Sequence, residues 1–376
     1  MVVRCAAEHI FLEEKLMKKF MAIALVVLMA LPVFAACSNN ETYEIALVTD
    51  VGNIDDKSFN EGAWNGVKEY AEANGISYNY YRPSEDTTAA RVETIATAVE
   101  KGAKVVVCPG FLFEEAIYQV QDMEQYANVQ FLLLDGEPHD ADYNYKTGAN
   151  VHCILYQEEQ AGFFAGYAAV MDGYRSLGFL GGMAVPAVQR FGYGFVQGCD
   201  AAAEALGLNA NDVTIKYWYS GVFSANDDIK TKMSGWYTEG VEVVFACGGG
   251  IYLSAVQAAT EANGKVIGVD VDQSSESELI ITSAMKGLTD SVKIALTDLY
   301  ANEGKWPEDQ AGKTATLGAA QNCVGLPTAE GSWRFNTFTV EQYNELFTKV
   351  VNGEIVVSAD VSAAPAVKLV SVDYQA

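Results

Sequence analysis

Short apolar runs alternate with amphipathic stretches along most of the chain. The run YEIALVTD at residues 43–50 predicts a buried strand. Residues 58–75 (SFNEGAWNGVKEYAEANG) then repeat apolar side chains at helical spacing and end at a glycine. The same alternation continues through residues 76–136. Near-continuous apolar strands that alternate with helices are typical of a parallel sheet covered by helices on both faces.

A second series of this kind runs from residue 157 to residue 270. Two comparable series of roughly a hundred residues each predict an α/β protein with two doubly wound domains. We expect residues 43–153 to form the first domain and residues 154–278 the second. LIITSAMKG at residues 279–287 has no strand–helix series of its own. We therefore expect residues 279–326 to return to the first domain and residues 327–376 to the second.

The N-terminal residues have the layout of a bacterial export signal. The segment MKKFMAIALVVLMALPVFAAC begins at Met17 with two lysines, continues with an uncharged apolar run and ends with small residues before Cys37. Its last three residues resemble a lipobox, in which the cysteine is lipidated and becomes the new N-terminus. The run has no polar face, which argues against the alternative of a buried core helix.

This pattern predicts how the protein is processed and where it resides. We expect residues 1–36 to be an upstream extension plus a signal peptide whose true start is Met17, and residues 37–42 to be a tether. Lipidation of Cys37 would then hold the protein on the extracytoplasmic face of a bacterial cell membrane.

Charge and cysteine content narrow the range of partners. The formal net charge is −25, which argues against nucleic acid and anionic membrane surfaces as partners.

No two cysteines form a C-x-x-C pair, so buried free thiols are favoured, although the alternative of one disulfide remains open. The cysteines in question are Cys108, Cys153, Cys199, Cys247 and Cys323.

Polar residues cluster where the apolar strands end. In open α/β sheets, ligands bind in the crevice beyond the carboxyl ends of the strands, so these clusters predict a small-molecule site between the two domains. Helix capping or a turn would explain any one of them, but it is a weaker explanation for the whole set. The clusters are residues 50–60, 109–111, 135–136, 248–252 and 270–273.

The usual enzyme signatures are missing. The sequence contains no G-x-S-x-G, H-E-x-x-H or G-x-x-x-x-G-K-[ST] motif. After the signal the only histidines are His139 and His152, so a histidine triad or a zinc site is not expected. We predict a protein that is not an enzyme and needs no cofactor.

Several motifs resemble a known family of bacterial lipoproteins. TDVGNIDDKSFNEGAWNGV, QEEQAGFFAGYAA, RFGYGFVQG, VFACGGG, GVDVDQ and TSAMK occur in this order between residues 49 and 286. They resemble the basic-membrane-protein family, the purine-nucleoside-receptor type of ABC-importer substrate-binding protein. The resemblance implies a type I periplasmic-binding-protein fold, with two α/β domains, three crossovers and a ligand between them. It also implies a purine nucleoside as ligand, an ABC permease as partner and a monomeric protein.

The resemblance also implies roles for individual residues. Asp50, Asn60 and Asp135 would hydrogen-bond the nucleobase, while Asp270 and Lys286 would grip the ribose hydroxyls. The aromatic ring that stacks on the base would be that of Phe59. A further stacking ring would follow the glycine run around Gly249, and we expect Tyr252 rather than Phe223 because Tyr252 directly follows a strand end.

Three alternatives remain open from the residues themselves. A sugar or autoinducer binder of the same fold would keep the acids that grip a diol but would not need Phe59. A nucleoside-processing enzyme would use clustered aspartates with calcium, whereas the acids here are spread over the strand ends of two domains. A surface receptor that signals to a partner protein is the third alternative.

Overall fold

The computed structural model describes residues 41–376. The predicted signal segment and Cys37 lie outside these residues. Within residues 41–376, no helix combines the length and the apolar character needed to cross a membrane. Thr42–Ala376 form one unit, and the description below concerns that unit.

Strands and helices alternate along the chain as the hydrophobic pattern predicts. The strands are Ile45–Val48 (β1), Tyr78–Tyr81 (β2), Val105–Pro109 (β3), Gln130–Leu134 (β4), Val151–Tyr156 (β5), Ser176–Gly181 (β6), Thr214–Tyr219 (β7), Val243–Cys247 (β8), Lys265–Asp270 (β9), Ile280–Lys286 (β10), Lys313–Leu317 (β11), Val324–Gly325 (β12) and Ser371–Tyr374 (β13). The α-helices are Phe59–Asn74 (α1), Thr88–Glu100 (α2), Glu114–Val120 (α3), Glu158–Met171 (α4), Pro186–Ala205 (α5), Asp227–Thr238 (α6), Tyr252–Ala262 (α7), Leu288–Ala301 (α8) and Val340–Val351 (α9).

Two sheets organise the described residues. The first has the order β11-β5-β4-β3-β1-β2, and the second has the order β12-β10-β9-β8-β6-β7-β13. Every pairing is parallel except that between β10 and β12. The central strands β1, β3, β4 and β8 are buried along their whole length, which explains why they read as continuous apolar runs. We call each sheet with its covering helices a lobe.

The chain passes between the lobes three times. It leaves the first sheet after β5, returns to it with β11 after β10, and re-enters the second sheet at β12. Two lobes of mostly parallel strands joined by three crossovers are the type I periplasmic-binding-protein architecture, so the predicted fold class is confirmed.

The position of β10 corrects one expected boundary. We expected the chain to return to the first lobe at residue 279, but β10 pairs with β9 in the second sheet, with Ala284 opposite Val269. The return is made only by α8, which packs against α1, and by β11, which pairs with β5. The tail lies in the second lobe, since β13 pairs with β7, but it begins before the expected residue 327, because β12 already pairs with β10.

Helices α4 and α5 approach each other unusually closely. A Cβ atom on Gly162 of α4 would lie 2.0 Å from the backbone oxygen of Phe191, and one on Gly194 of α5 would lie 2.0 Å from that of Glu159. Larger side chains at these positions would force the helices apart. The glycines therefore set the distance between α4, which follows β5, and α5, which follows β6.

The cysteines of the described region are all buried and free. They are Cys108, Cys153, Cys199, Cys247 and Cys323. The expectation of buried thiols is confirmed for these residues, and the open alternative of one disulfide is not realised among them.

Candidate ligand-binding site

A cavity of about 530 Å³ lies between the lobes, beyond the carboxyl ends of their strands. Its walls come from the carboxyl ends of β1, β2, β3 and β4 and the segments after them in the first lobe, and from those of β6, β7, β8, β9 and β10 in the second. The predicted residues that line it are Asp50, Phe59, Asn60, Asp135, Gly249, Asp270 and Lys286.

The loop between β1 and α1 separates capping groups from cavity groups. Both carboxylate oxygens of Asp56 accept backbone N–H bonds of α1, from Ser58 at 2.9 Å and from Asn60 and Glu61 at 3.0 Å. Asp56 therefore caps the helix N-terminus, where a negative charge is favoured. The Asn60 side chain donates to both Asp56 Oδ2 at 2.9 Å and Asp50 Oδ1 at 2.8 Å, so it joins the cap to the cavity wall.

Asp50 is a half-buried acceptor at the end of β1. Its Oδ1 also accepts the backbone N–H of Gly52 at 2.7 Å. Burial raises the pKa of Asp50 to about 6, against the lowering influence of the bonds from Gly52 and Asn60. The second oxygen faces Gly110, where even a Cβ atom would come within 3.4 Å of it. This oxygen can therefore accept a hydrogen bond from a ligand.

The acids at the ends of two other strands share a rare backbone conformation. Asp135, after β4, has φ of 58°, and Asp270, at the end of β9, has φ of 66°. This left-handed region is costly for most residues and most accessible to Gly, Asn and Asp, and such residues cluster at functional sites. The conformation turns the chain sharply at the cavity rim in both lobes.

Asp270 is almost fully buried and is held from the opposite lobe. Ser58 Oγ donates to its Oδ2 at 2.5 Å. Burial raises the pKa of Asp270, while nearby Lys286 and the Ser58 bond oppose that rise.

Lys286 is the central cation of the cavity floor. Its Nζ atom pairs directly with Asp135 Oδ2 and lies 4.8 Å from the centre of the Phe59 ring. Burial alone would lower the pKa of this lysine, but Asp135, Glu158 and Asp270 together raise it above its usual value. The amine is therefore held charged, in a setting where cation–π contact adds to ion pairing.

Asp135 has one engaged oxygen and one free oxygen. Oδ2 is taken by Lys286, whereas Oδ1 is buried and accepts no hydrogen bond. Burial raises the pKa of Asp135, and Lys286 counteracts part of that rise. An unsatisfied buried acceptor on a cavity wall is costly unless a ligand donor reaches it.

The structure places Phe223, not Tyr252, on the cavity. Phe223 lines the wall of the second lobe, next to the glycine run. A Cβ atom on Gly182 would lie 2.4 Å from the Phe223 ring, and one on Gly248 would lie 2.9 Å from it. The glycines thus leave room for the ring against bare backbone.

Tyr252 points into the core of the second lobe. Its side chain is 3% exposed and packs in the cluster that contains Met233 and Trp236, while its hydroxyl reaches Glu276 at 3.3 Å. The expectation that Tyr252 stacks on a ligand is therefore wrong. It is the first residue of α7, and its side chain packs in this buried cluster and does not line the cavity.

Several lining residues were not singled out from the sequence. Phe111 follows β3, within a polar cluster that the sequence did mark, and Phe191 lies in α5 within the quoted motif RFGYGFVQG. Met183 and Val188 add apolar surface from the second lobe. The strand-end rule marked Phe111 and the quoted motif contains Phe191, whereas no signal in the sequence marked Met183 or Val188.

A match to a known protein family agrees with this fold and this cavity. Residues 44–360 match the model of the family described as ABC transporter substrate-binding protein PnrA-like, or Bmp. The chain belongs to this family. The Bmp family consists of substrate-binding proteins rather than enzymes. The family resemblance expected from the sequence is therefore confirmed over most of the chain.

The alignments with curated relatives span most of each relative's length. CD4+ T-cell-stimulating antigen of Listeria monocytogenes is 27% identical over 84% of this chain and 88% of its own. ABC transporter nucleoside-binding protein BmpA of Lactococcus lactis is 24% identical over 77% and 86%. Basic membrane protein A of Borreliella burgdorferi is 27% identical over 90% and 96%.

Solved structures agree on the fold. An ABC transporter solute-binding protein from Aeropyrum pernix K1 superimposes with a TM-score of 0.68 at 22% identity, covering 85% of this chain and 94% of its own. A second solute-binding protein, from Conexibacter woesei, gives a TM-score of 0.63 at 19% identity, covering 85% and 99%.

Proposed function

We propose that this Bmp-family protein binds a nucleoside, with a purine base, between its lobes and delivers it to an ABC permease. The observation that carries the proposal is that one cavity contains both aromatic rings and a pair of oppositely charged side chains. Each lobe contributes a phenylalanine, Phe59 or Phe223, and the floor holds Asp270 beside Lys286.

The chemistry of these groups matches the two halves of a nucleoside. An aromatic ring offers a stacking surface for a base, worth about 1–3 kcal/mol. A carboxylate accepts the two hydrogens of a ribose cis-diol, while an ammonium donates to its oxygens. The free oxygens of Asp50 and Asp135 are acceptors for base N–H groups. The Lactococcus lactis relative is named as a nucleoside-binding protein, which supports the same assignment.

A thermal-shift screen of nucleosides, free bases and pentoses tests the proposal. A specific ligand stabilises the fold by RT ln(1 + [L]/Kd), about 2.7 kcal/mol at a hundredfold excess over Kd. We expect purine nucleosides to raise the melting temperature most. A shift with pentoses but not with nucleosides would favour the sugar-binding alternative, and no shift with any nucleoside would reject the proposal.

We also propose that the protein is monomeric and lipid-anchored through Cys37 on the extracytoplasmic face. The support is the sequence pattern before that cysteine, since these residues lie outside the described part of the chain. One acyl chain anchors a protein only marginally, whereas two or more hold it firmly. Cys37→Ala is expected to release the protein from the detergent phase, and unchanged partitioning would contradict the anchor.

A further inference from the structure

A chain of alternating charges runs from the cavity floor into the second lobe. Lys286 Nζ, paired with Asp135, lies 3.2 Å from Glu158 Oε1, and Glu158 Oε2 accepts from Arg190 Nε at 2.5 Å. The exposed fractions of these side chains are 2% for Lys286, 8% for Asp135, 0% for Glu158 and 17% for Arg190. Glu158 does not line the ligand cavity.

We propose that Glu158 is a positioning residue for ligand binding, which holds Lys286 and thereby the free oxygen of Asp135 in place without touching the ligand. The inference rests on the proposed function, since it concerns the same cavity. It assigns a role to a residue that neither the strand-end pattern nor the cavity wall identifies.

The location of Glu158 supports this role. It is the first residue of α4, directly after the chain leaves the first sheet, and a carboxylate is favoured in the first turn of a helix. Lys286 ends β10, directly before α8 leads back to the first lobe. The ion pair therefore connects two of the three crossovers at their starting points.

The close packing of α4 and α5 brings Arg190 to the other oxygen of Glu158. Gly162 lies one helical turn after Glu158, and Gly194 lies one turn after Arg190. Because each glycine allows backbone contact with the opposite helix, the Glu158–Arg190 contact is set by rigid elements. A rigid anchor is what a positioning residue needs.

Removal of Glu158 would leave Lys286 with fewer counter-charges. The Glu158–Lys286 contact has ion-pair distance but not the angle of a hydrogen bond, because Glu158 Oε1 has no hydrogen-bond partner. Its contribution is then mainly electrostatic and acts on the charge and placement of the amine. Without it, Lys286 would depend on Asp135 and Asp270 alone, the two acids assigned to the ligand.

Two binding variants test the inference with calorimetry on inosine, guanosine and adenosine. Glu158→Gln keeps the shape of the side chain but removes its charge, and this loss of electrostatic support for Lys286 should weaken binding about tenfold. The matched control is Glu159→Gln, since Glu159 is the adjacent buried glutamate and does not pair with Lys286. We expect the control to bind as the unsubstituted protein does. Equal affinities of the two variants would overturn the inference.

A ligand-independent measurement keeps the inference separate from the proposed function. Trace labelling with acetic anhydride reports the reactivity of the Lys286 amine, with exposed Lys68 as the internal reference. We expect faster labelling of Lys286 in Glu158→Gln, because the amine loses a counter-charge. Arg190→Met loosens the anchor of Glu158 but leaves its charge beside Lys286, so it should speed labelling less than Glu158→Gln does. Equal acceleration in both variants would indicate general loosening and would overturn the inference.

The two failures are distinguishable. If no nucleoside binds the unsubstituted protein, the proposed function fails, and the labelling still decides whether Glu158 positions Lys286. If nucleosides bind but neither binding nor labelling changes in folded Glu158→Gln, only the positioning role fails.

Discussion

Ser58, in the loop before α1, donates a hydrogen bond of 2.5 Å to Asp270 at the end of β9 in the opposite lobe. Nearby, the Gln273 side chain donates to the backbone oxygen of Lys57 at 2.8 Å. These contacts join the DDKSFN segment, which lies within the first motif of the family resemblance, to the acid assigned to the ribose. The loop thus links the lobes as well as lining the cavity.

Loss of the Ser58–Asp270 bond should destabilise the fold. Ser58→Ala removes a donor from a buried carboxylate, a change of about 1.5–3 kcal/mol in the free energy of unfolding. Urea denaturation measures the difference. Ser84→Ala, at an exposed position, is the control and should have no effect. Equal stability of the two variants would show that the bond contributes nothing.

Stacking predicts which aromatic substitutions matter. Phe59→Ala and Phe223→Ala should each weaken the binding of nucleosides by about 1–3 kcal/mol, or roughly five- to 150-fold in Kd. Tyr252→Phe should leave affinity unchanged, because it alters only a bond to Glu276 outside the cavity. Calorimetry measures the three affinities. Unchanged affinity in Phe223→Ala would contradict the assignment of Phe223 as a stacking ring, and a loss in Tyr252→Phe would show that the Tyr252 hydroxyl contributes to binding.

The ribose role of Asp270 predicts a dependence on the sugar hydroxyls. Asp270→Asn suits the left-handed backbone and should weaken a ribonucleoside about ten- to a hundredfold. A 2′,3′-dideoxynucleoside lacks those hydroxyls and should bind both proteins alike. Asp272→Asn, outside the cavity, is the control. Equal losses for the two ligands would mean that Asp270 supports the fold and not the sugar.

The pKa of Asp50 predicts a pH-dependent cost of folding. Burial raises this pKa to about 6, whereas an aspartate in an unfolded chain titrates near 3.9. The folded protein therefore binds the extra proton between these values, and the contribution of Asp50 to stability falls as pH rises from about 4 to 6. Asp50→Asn removes this penalty and keeps an oxygen for Gly52 and Asn60.

We expect Asp50→Asn to have a higher free energy of unfolding than the unsubstituted protein near neutral pH, with a gap that shrinks towards about pH 4. Urea denaturation across this pH range measures the gap, with Asp55→Asn in the same loop as the control. The variant should also bind nucleosides more weakly, a trade of function for stability. A gap independent of pH would show that Asp50 does not titrate as described.

Local patterns predicted the fold better than they predicted the cavity wall. Apolar runs identify buried strands, and the polar clusters at their ends contain six of the seven predicted residues that line the cavity, whereas Lys286 was named only through the family resemblance. The placement of β10 depended on its pairing with β9, a non-local choice that periodicity does not encode. The direction of the Tyr252 side chain likewise depended on how α7 begins, which spacing from a strand end cannot give.

The position of β11 has a consequence for how the protein is made. β11 supplies an edge of the first sheet by pairing with β5, yet it is synthesised more than 150 residues later. Until then β5 presents an unpaired apolar edge, which is prone to pair with other chains. A fragment that stops before Lys313 would carry this exposed edge permanently. The first sheet therefore contains the first strand of the described chain to be synthesised, but it can be completed only after β11 has been made.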